Sequence, residues 1–142
     1  MKRSTIRKVE DILRDYPKID KYIEEREQEL RYPTIANDDN VGGGRAQYKE
    51  SNQTLDTLIT IDEDRRINAL KRQRLVIDDC LDGVGKDTEV IINELYFKKH
   101  RQYTLDGLIA NRIISVSRRN AFRLKNKFIE DCAKGFGLYE VD

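Results

Sequence analysis

The chain has 142 residues, of which 38% are hydrophobic and 37% charged, and its formal net charge is +1. That is roughly one domain's worth of chain, with more charge than a typical globular composition, which points to a thin core built from amphipathic helices. No apolar run approaches the ~18 residues of a membrane-spanning helix, and the basic opening MKRSTIRKVEDI has no apolar segment behind it to make a secretory signal, so a soluble, cytoplasmic protein is expected.

Residues 1–32 read as a helical hairpin. Ile6, Val9, Leu13 and Tyr16 recur at spacings of three and four, which places them on one helical face, and Ser4 suits the N-cap position. Pro17 interrupts the pattern and fits the start of a second helix, roughly 17–30, with Ile19, Tyr22, Ile23 and Leu30 on its apolar side. Glu24, Glu25, Glu27 and Glu29 occupy its other faces.

Residues 33–54 differ in character. Asn37-Asp38-Asp39-Asn40 followed by Gly42-Gly43-Gly44 is breaker chemistry, and a flexible glycine-rich loop is expected. The triple glycine lacks the spacing and the preceding strand of a phosphate-cradling loop.

From 55 to 84 the pattern is helical again. Leu58, Ile61, Ile67, Leu70, Ile77, Leu81 and Val84 lie near heptad spacing, interrupted by Arg74. One long central helix is expected, with a break at 60–62 as the alternative, and Gly83-Val84-Gly85 stops it. The stripe serves as intramolecular core or as a dimer seam, so a homo-oligomer stays open. A further helix over 86–100 follows, capped by Asp87 or Thr88, with Val90, Ile91, Leu95 and Tyr96 inward. No segment alternates as a half-buried strand does, and the fold class expected is all-α.

Near-neutral net charge conceals a strong asymmetry. Residues 98–134 carry ten Lys or Arg side chains against three acids, so the remainder of the chain is net acidic. A local basic face of this kind favours a polyanion partner whatever the overall balance. Within it, 104–112 reads as a short helix capped by Thr104, with Leu105, Leu108 and Ile109 inward. Ile114-Ser115-Val116-Ser117 reads as a turn. Ser115 stands where such turns often place glycine for a positive φ, and Ser117 caps the next helix. That helix, from Arg118 to about Lys134, puts Ala121, Leu124, Phe128 and Cys132 on its inner stripe, with Phe122 and Ile129 flanking. Arg119, Asn120, Arg123, Asn126 and Lys127 fall on the opposite side.

A short helix, a tight turn and a longer helix with a basic outer face form the grammar of a helix-turn-helix that reads double-stranded DNA. Residues near the start of the second helix reach base edges, and arginine and asparagine suit guanine and adenine there. Arg119, Asn120 and Arg123 are therefore the expected base readers. Arg118, Lys125 and Lys127 are the expected phosphate contacts, with Arg101 and Thr104 clamping a phosphate at the preceding helix. The DNA-binding region is placed at 85–142.

Two stretches resemble the RinA/ArpU-like family of phage transcriptional regulators: STIRKVEDILRDYP over 4–17 is similar to its N-terminal hairpin, and SRRNAFRLKNKFI over 117–129 to its C-terminal helix-turn-helix of sigma region 4 type. The resemblance implies a sequence-specific DNA-binding activator of late genes that works beside host RNA polymerase. It leaves the recognition helix at 118–129.

Two other functions fit the same elements: a small terminase-like DNA-packaging protein, and a helical protein-interaction module. Catalysis is not expected. His100, the distant thiols Cys80 and Cys132, and carboxylates such as Asp78-Asp79, which do not face each other on a helix, assemble no nucleophile–base set. No cofactor is expected, and the cysteines and His100 lack metal-ligand spacing, so both thiols are expected to be reduced.

Overall fold

Every regular element among the described residues, 1–32 and 50–138, is helical in the computed structural model of the chain. Seven α-helices follow in order: α1 (Arg3–Asp15), α2 (Ile19–Arg31), α3 (Glu50–Glu63), α4 (Arg65–Asp82), α5 (Lys86–Ile92), α6 (Leu105–Ala110) and α7 (Arg118–Gly135). A 3-10 turn at Tyr16–Lys18 holds Pro17 between α1 and α2, and α5 continues into a π-helical turn at Asn93–Phe97. The glycine-rich stretch expected as a loop lies outside the described residues over 33–49, and its last five residues already belong to α3.

Contacts divide the chain into two compact units, residues 18–71 and residues 1–17 with 72–142, so the two arms of the expected hairpin belong to different units. α1 begins one residue before Ser4 and carries no side-chain cap, which corrects the N-cap expected there.

In the smaller unit α2 packs on α3, and Ile19, Ile23, Ile61 and Ile67 are buried. The expected long central helix is broken at Asp64, two residues beyond the alternative break at 60–62. Its carboxylate accepts the Ile67 N–H at 3.0 Å and so caps α4, satisfying one of the donors that a helix start leaves open. The same carboxylate takes a two-pronged contact from Arg26, Nε to Oδ2 at 3.3 Å and Nη2 to Oδ1 at 3.0 Å. This pairing holds the Asp64 carboxyl below the usual carboxylate range. Leu58, expected inward, is exposed, as are Leu55 and Ile59.

The larger unit is built around α7, which is packed by α1, α5 and α6. Val9 and Leu13, on the predicted face of α1, are fully buried beside Ile91, Phe128 and Ile129. The π-helical turn closes on a bond from Lys98 N–H to Asn93 O at 3.3 Å. Its wider winding narrows the angle between adjacent side chains, and two neighbouring aromatics both reach α1 or its C-terminal cap. Tyr96 donates its hydroxyl to Glu10 at 2.7 Å, and Phe97 stacks on Tyr16 at 4.7 Å. Tyr16 in turn donates to Asp78 on α4. The helix expected over 86–100 is thus shorter, and its N-cap is Gly85, not Asp87 or Thr88. Cys80 and Cys132, far apart in sequence, come into hydrogen-bonding contact, and burial raises the pKa of both thiols. No helix among the described residues is long and apolar enough to cross a membrane.

Candidate nucleic-acid interface

α6 has only six residues, too few to be stable in isolation, and both of its ends are closed by specific bonds. The Thr104 hydroxyl accepts the Gly107 N–H at 3.1 Å, and a Cβ at 107 would just touch that hydroxyl at 3.4 Å. At the other end Asn111 Nδ2 donates to Gly107 O at 2.7 Å. The chain then turns through Arg112, at φ 55°. Arg112 N–H reaches Ile109 O at 3.1 Å and Ile113 N–H reaches Leu108 O at 3.0 Å, the paired bonds of a Schellman helix stop. The positive φ expected at Ser115 is therefore at Arg112, because α6 ends two residues earlier than its predicted boundary. α7 ends on the same pair of bonds with Gly137 at the left-handed position.

Beyond this stop Ile114 is buried and Val116 is half-buried against the core, so both apolar turn residues pack inward. Ser117 caps α7, its hydroxyl accepting the Asn120 N–H at 3.3 Å. The inner stripe of α7 is Ala121, Phe128, Ile129, Cys132 and Ala133. Leu124, expected there, lies at the edge and is half-buried, while Ile129 belongs to the core.

The outer side of α7 carries the predicted polar residues. Arg119, Asn120, Arg123, Asn126 and Lys127 are all exposed. Arg119, Arg123, Asn126 and Lys127 line one open groove along the helix, whose far end is bounded by Glu130, Asp131 and Lys134. Among the described residues neither Arg119 nor Arg123 pairs with a carboxylate, and both keep their full charge for an outside partner. The N-terminal end of α7 adds the positive pole of the helix dipole.

Two other predicted residues converge on Phe122, which lines the same groove. The Arg118 guanidinium lies 5.3 Å from the Phe122 ring centroid and the Lys125 ammonium 5.6 Å from it. Arg118 Nε also donates to Asp106 Oδ1 at 2.8 Å, tying the first turn of α6 to the first residue of α7. Arg101, exposed, lies near Tyr96, whose hydroxyl pKa burial and the bond to Glu10 raise while the charge on Arg101 partly opposes them.

Asp106 and Phe122 escape a sequence reading of the site. Phe122 had a legible signal, since it stands four residues after Arg118 and three before Lys125, within helical reach of both. Asp106 had none, because its partner is on another helix. No group of His, Cys, Asp or Glu among the described residues is arranged to hold a metal ion.

Residues 5–134 match a family described as a protein of unknown function (DUF722). The chain is also 30% identical over 139 residues to the transcriptional activator RinA of Staphylococcus phage phi11, covering 96% of this chain and 94% of that one. No solved structure matches it. The chain belongs to the RinA-like family.

Proposed function

We propose that the chain is a sequence-specific DNA-binding transcriptional regulator, an activator of phage late genes, in which α6, the turn over 111–117 and α7 form a helix-turn-helix of sigma region 4 type. The observation that carries this reading is the groove of α7, where Arg119 and Arg123 stand exposed and unneutralised at the capped, dipole-positive end of a helix anchored by Phe128 and Ile129. The name of the phi11 relative, a transcriptional activator similar along nearly its whole length, supports it.

In this reading α7 enters the major groove by its N-terminal turns. Arg119, Asn120 and Arg123 face base edges, and Lys125 and Lys127 meet phosphates. Arg101 and Thr104 stay near the backbone at the head of α6. The protein acts by binding and not by catalysis, on promoter DNA and beside host RNA polymerase. A second copy suits a site with two half-sites.

Selection of bound fragments from phage and host genomes, at two salt concentrations, tests the proposal. A recurrent sequence with steep salt dependence is expected. Arg123→Ala should then cost about 1–3 kcal/mol at one base position, whereas Lys127→Ala should weaken every sequence alike and flatten the salt slope by about one ion. Equal losses on selected and random duplex for both variants refute the division of labour, and no enrichment at either salt refutes sequence-specific binding.

A further inference from the structure

Arg118 differs from the other arginines of α7. Its Nε is occupied by Asp106 Oδ1 at 2.8 Å, and its guanidinium carbon sits 5.3 Å over Phe122. A guanidinium has five N–H donors in a rigid plane. With Nε held by a carboxylate and the plane held near a ring, the donors that remain are those of the two terminal nitrogens, which are the pair used for two-pronged recognition. Resting on the DNA-binding reading above, we infer that Arg118, braced by Asp106 and Phe122, reads guanine and does not clamp a phosphate.

Charge separates the two roles. The Arg118–Asp106 pair is net neutral, and a phosphate brought to Arg118 also meets the Asp106 carboxylate. Most of the attraction that drives ion release from DNA is thereby lost. Guanine presents O6 and N7, which are uncharged acceptors in the major groove. Reading them needs aimed donors more than net charge, and aim is what Asp106 and Phe122 supply. Both members of the pair are exposed, at 69% and 61% of their side-chain surface, so the bond is weak in water. It strengthens when a duplex covers it and excludes solvent. Arg119 and Arg123 carry no such brace among the described residues. Arg118 occupies the first position of the helix, where a helix-turn-helix reaches base edges.

Selection from randomised duplex tests the assignment, with the full chain as wild type, Arg118→Lys, Arg118→Ala and Asp106→Asn, each checked by a thermal melt. Lysine keeps the charge but not the fork. Arg118→Lys is expected to lose ~10- to 100-fold of the preference for guanine at one position, with the other positions intact. Asp106→Asn is expected to raise affinity for random duplex while narrowing the gap between selected and random. Arg118→Ala is expected to match Arg118→Lys at that position. If wild type selects a sequence and Arg118→Lys retains every preference, Arg118 is a phosphate contact and this assignment fails alone. If wild type selects no sequence, the DNA-reading role of α7 fails with it. The lysine variant leaves the helix start intact, so a destabilised alanine variant does not blunt the comparison.

Discussion

Gly135 on α7 lies directly against Val76 on α4: a Cβ at position 135 would stand 2.4 Å from Val76 Cγ1. The same pair of helices brings Cys80 to Cys132, so the missing side chain at 135 is what lets them approach.

Gly135→Ala should therefore destabilise the protein, although alanine is the better helix former. Valine has little rotamer freedom with which to yield, and overpacking typically costs about 1–3 kcal/mol. Gly135 is the last residue of α7, where the propensity gain is small, so a net loss of about 1 kcal/mol is expected in urea unfolding. Adding Val76→Ala should recover part of it, because the two positions share one contact. Independent, additive effects would contradict the clash.

Arg112→Gly should have the opposite sign. Arg112 is exposed and sits at φ 55°, a region that costs a side-chain-bearing residue about 1–2 kcal/mol. Glycine there, as at Gly137 after α7, should raise the denaturant midpoint by the equivalent of about 1 kcal/mol with an unchanged slope. No gain would mean that the arginine makes a compensating contact.

Asp64 makes stability depend on pH in the acid range. Its folded-state pKa is lowered, first by the hydrogen bond from Arg26. A depressed carboxylate contributes stability above its unfolded value, about 3.9, and loses it as pH falls through the folded value. Asp64→Asn should thus be less stable than wild type at pH 6, and the difference should shrink as pH drops below about 4. Melting curves of the two proteins across that range check the sign, and a gap that widened in acid would overturn it.

Cys80 and Cys132 should resist alkylation while the protein is folded. Burial raises both thiol pKa values, and the thiolate is the reactive form. With iodoacetamide at pH 7.5, labelling should be slow on native protein and fast in guanidinium, Cys132 being the slower of the two because it is fully buried. Rapid native labelling of Cys132 would contradict the packing of α7.

What was legible in the chain was what is local. Thr104 and Ser117 announce their helices because a capping hydroxyl and the N–H that donates to it lie within three residues of each other, and the helix starts lie where they predict. Ile6, Val9 and Leu13 mark one face of α1 by spacing alone. The break in the central helix was legible only as an alternative at 60–62, and its true place at Asp64 was not, since Ile61 and Ile67 carry the apolar rhythm across it. The carboxylate that makes it is held by Arg26, 38 positions away. The buried face of α7 is wider than its spacing predicts, for a similar reason. Four elements, α1, α4, α5 and α6, pack around that helix, so the buried arc widens to take in Ile129 and Ala133 and leaves Leu124 at its rim. Of the site, the exposed cations and the reach of Arg118 to Phe122, four residues on, were open to a sequence reading; the tie from Arg118 to Asp106 on α6, a tertiary contact that sets Arg118 apart from Arg119 and Arg123, was not.

The distribution of charge along α7 gives that helix a direction. Besides Arg118, which Asp106 neutralises, Arg119, Arg123, Lys125 and Lys127 lie in its first ten residues, whereas Glu130 and Asp131 follow, with Lys134 bound to Glu130 at 3.5 Å. The backbone dipole runs the same way. In the proposed DNA-binding role, a polyanion is pulled toward the tip of the helix and pushed from its tail, which favours one direction of approach. For such a ligand the field biases orientation within a Debye length, ~10 Å, before contacts form.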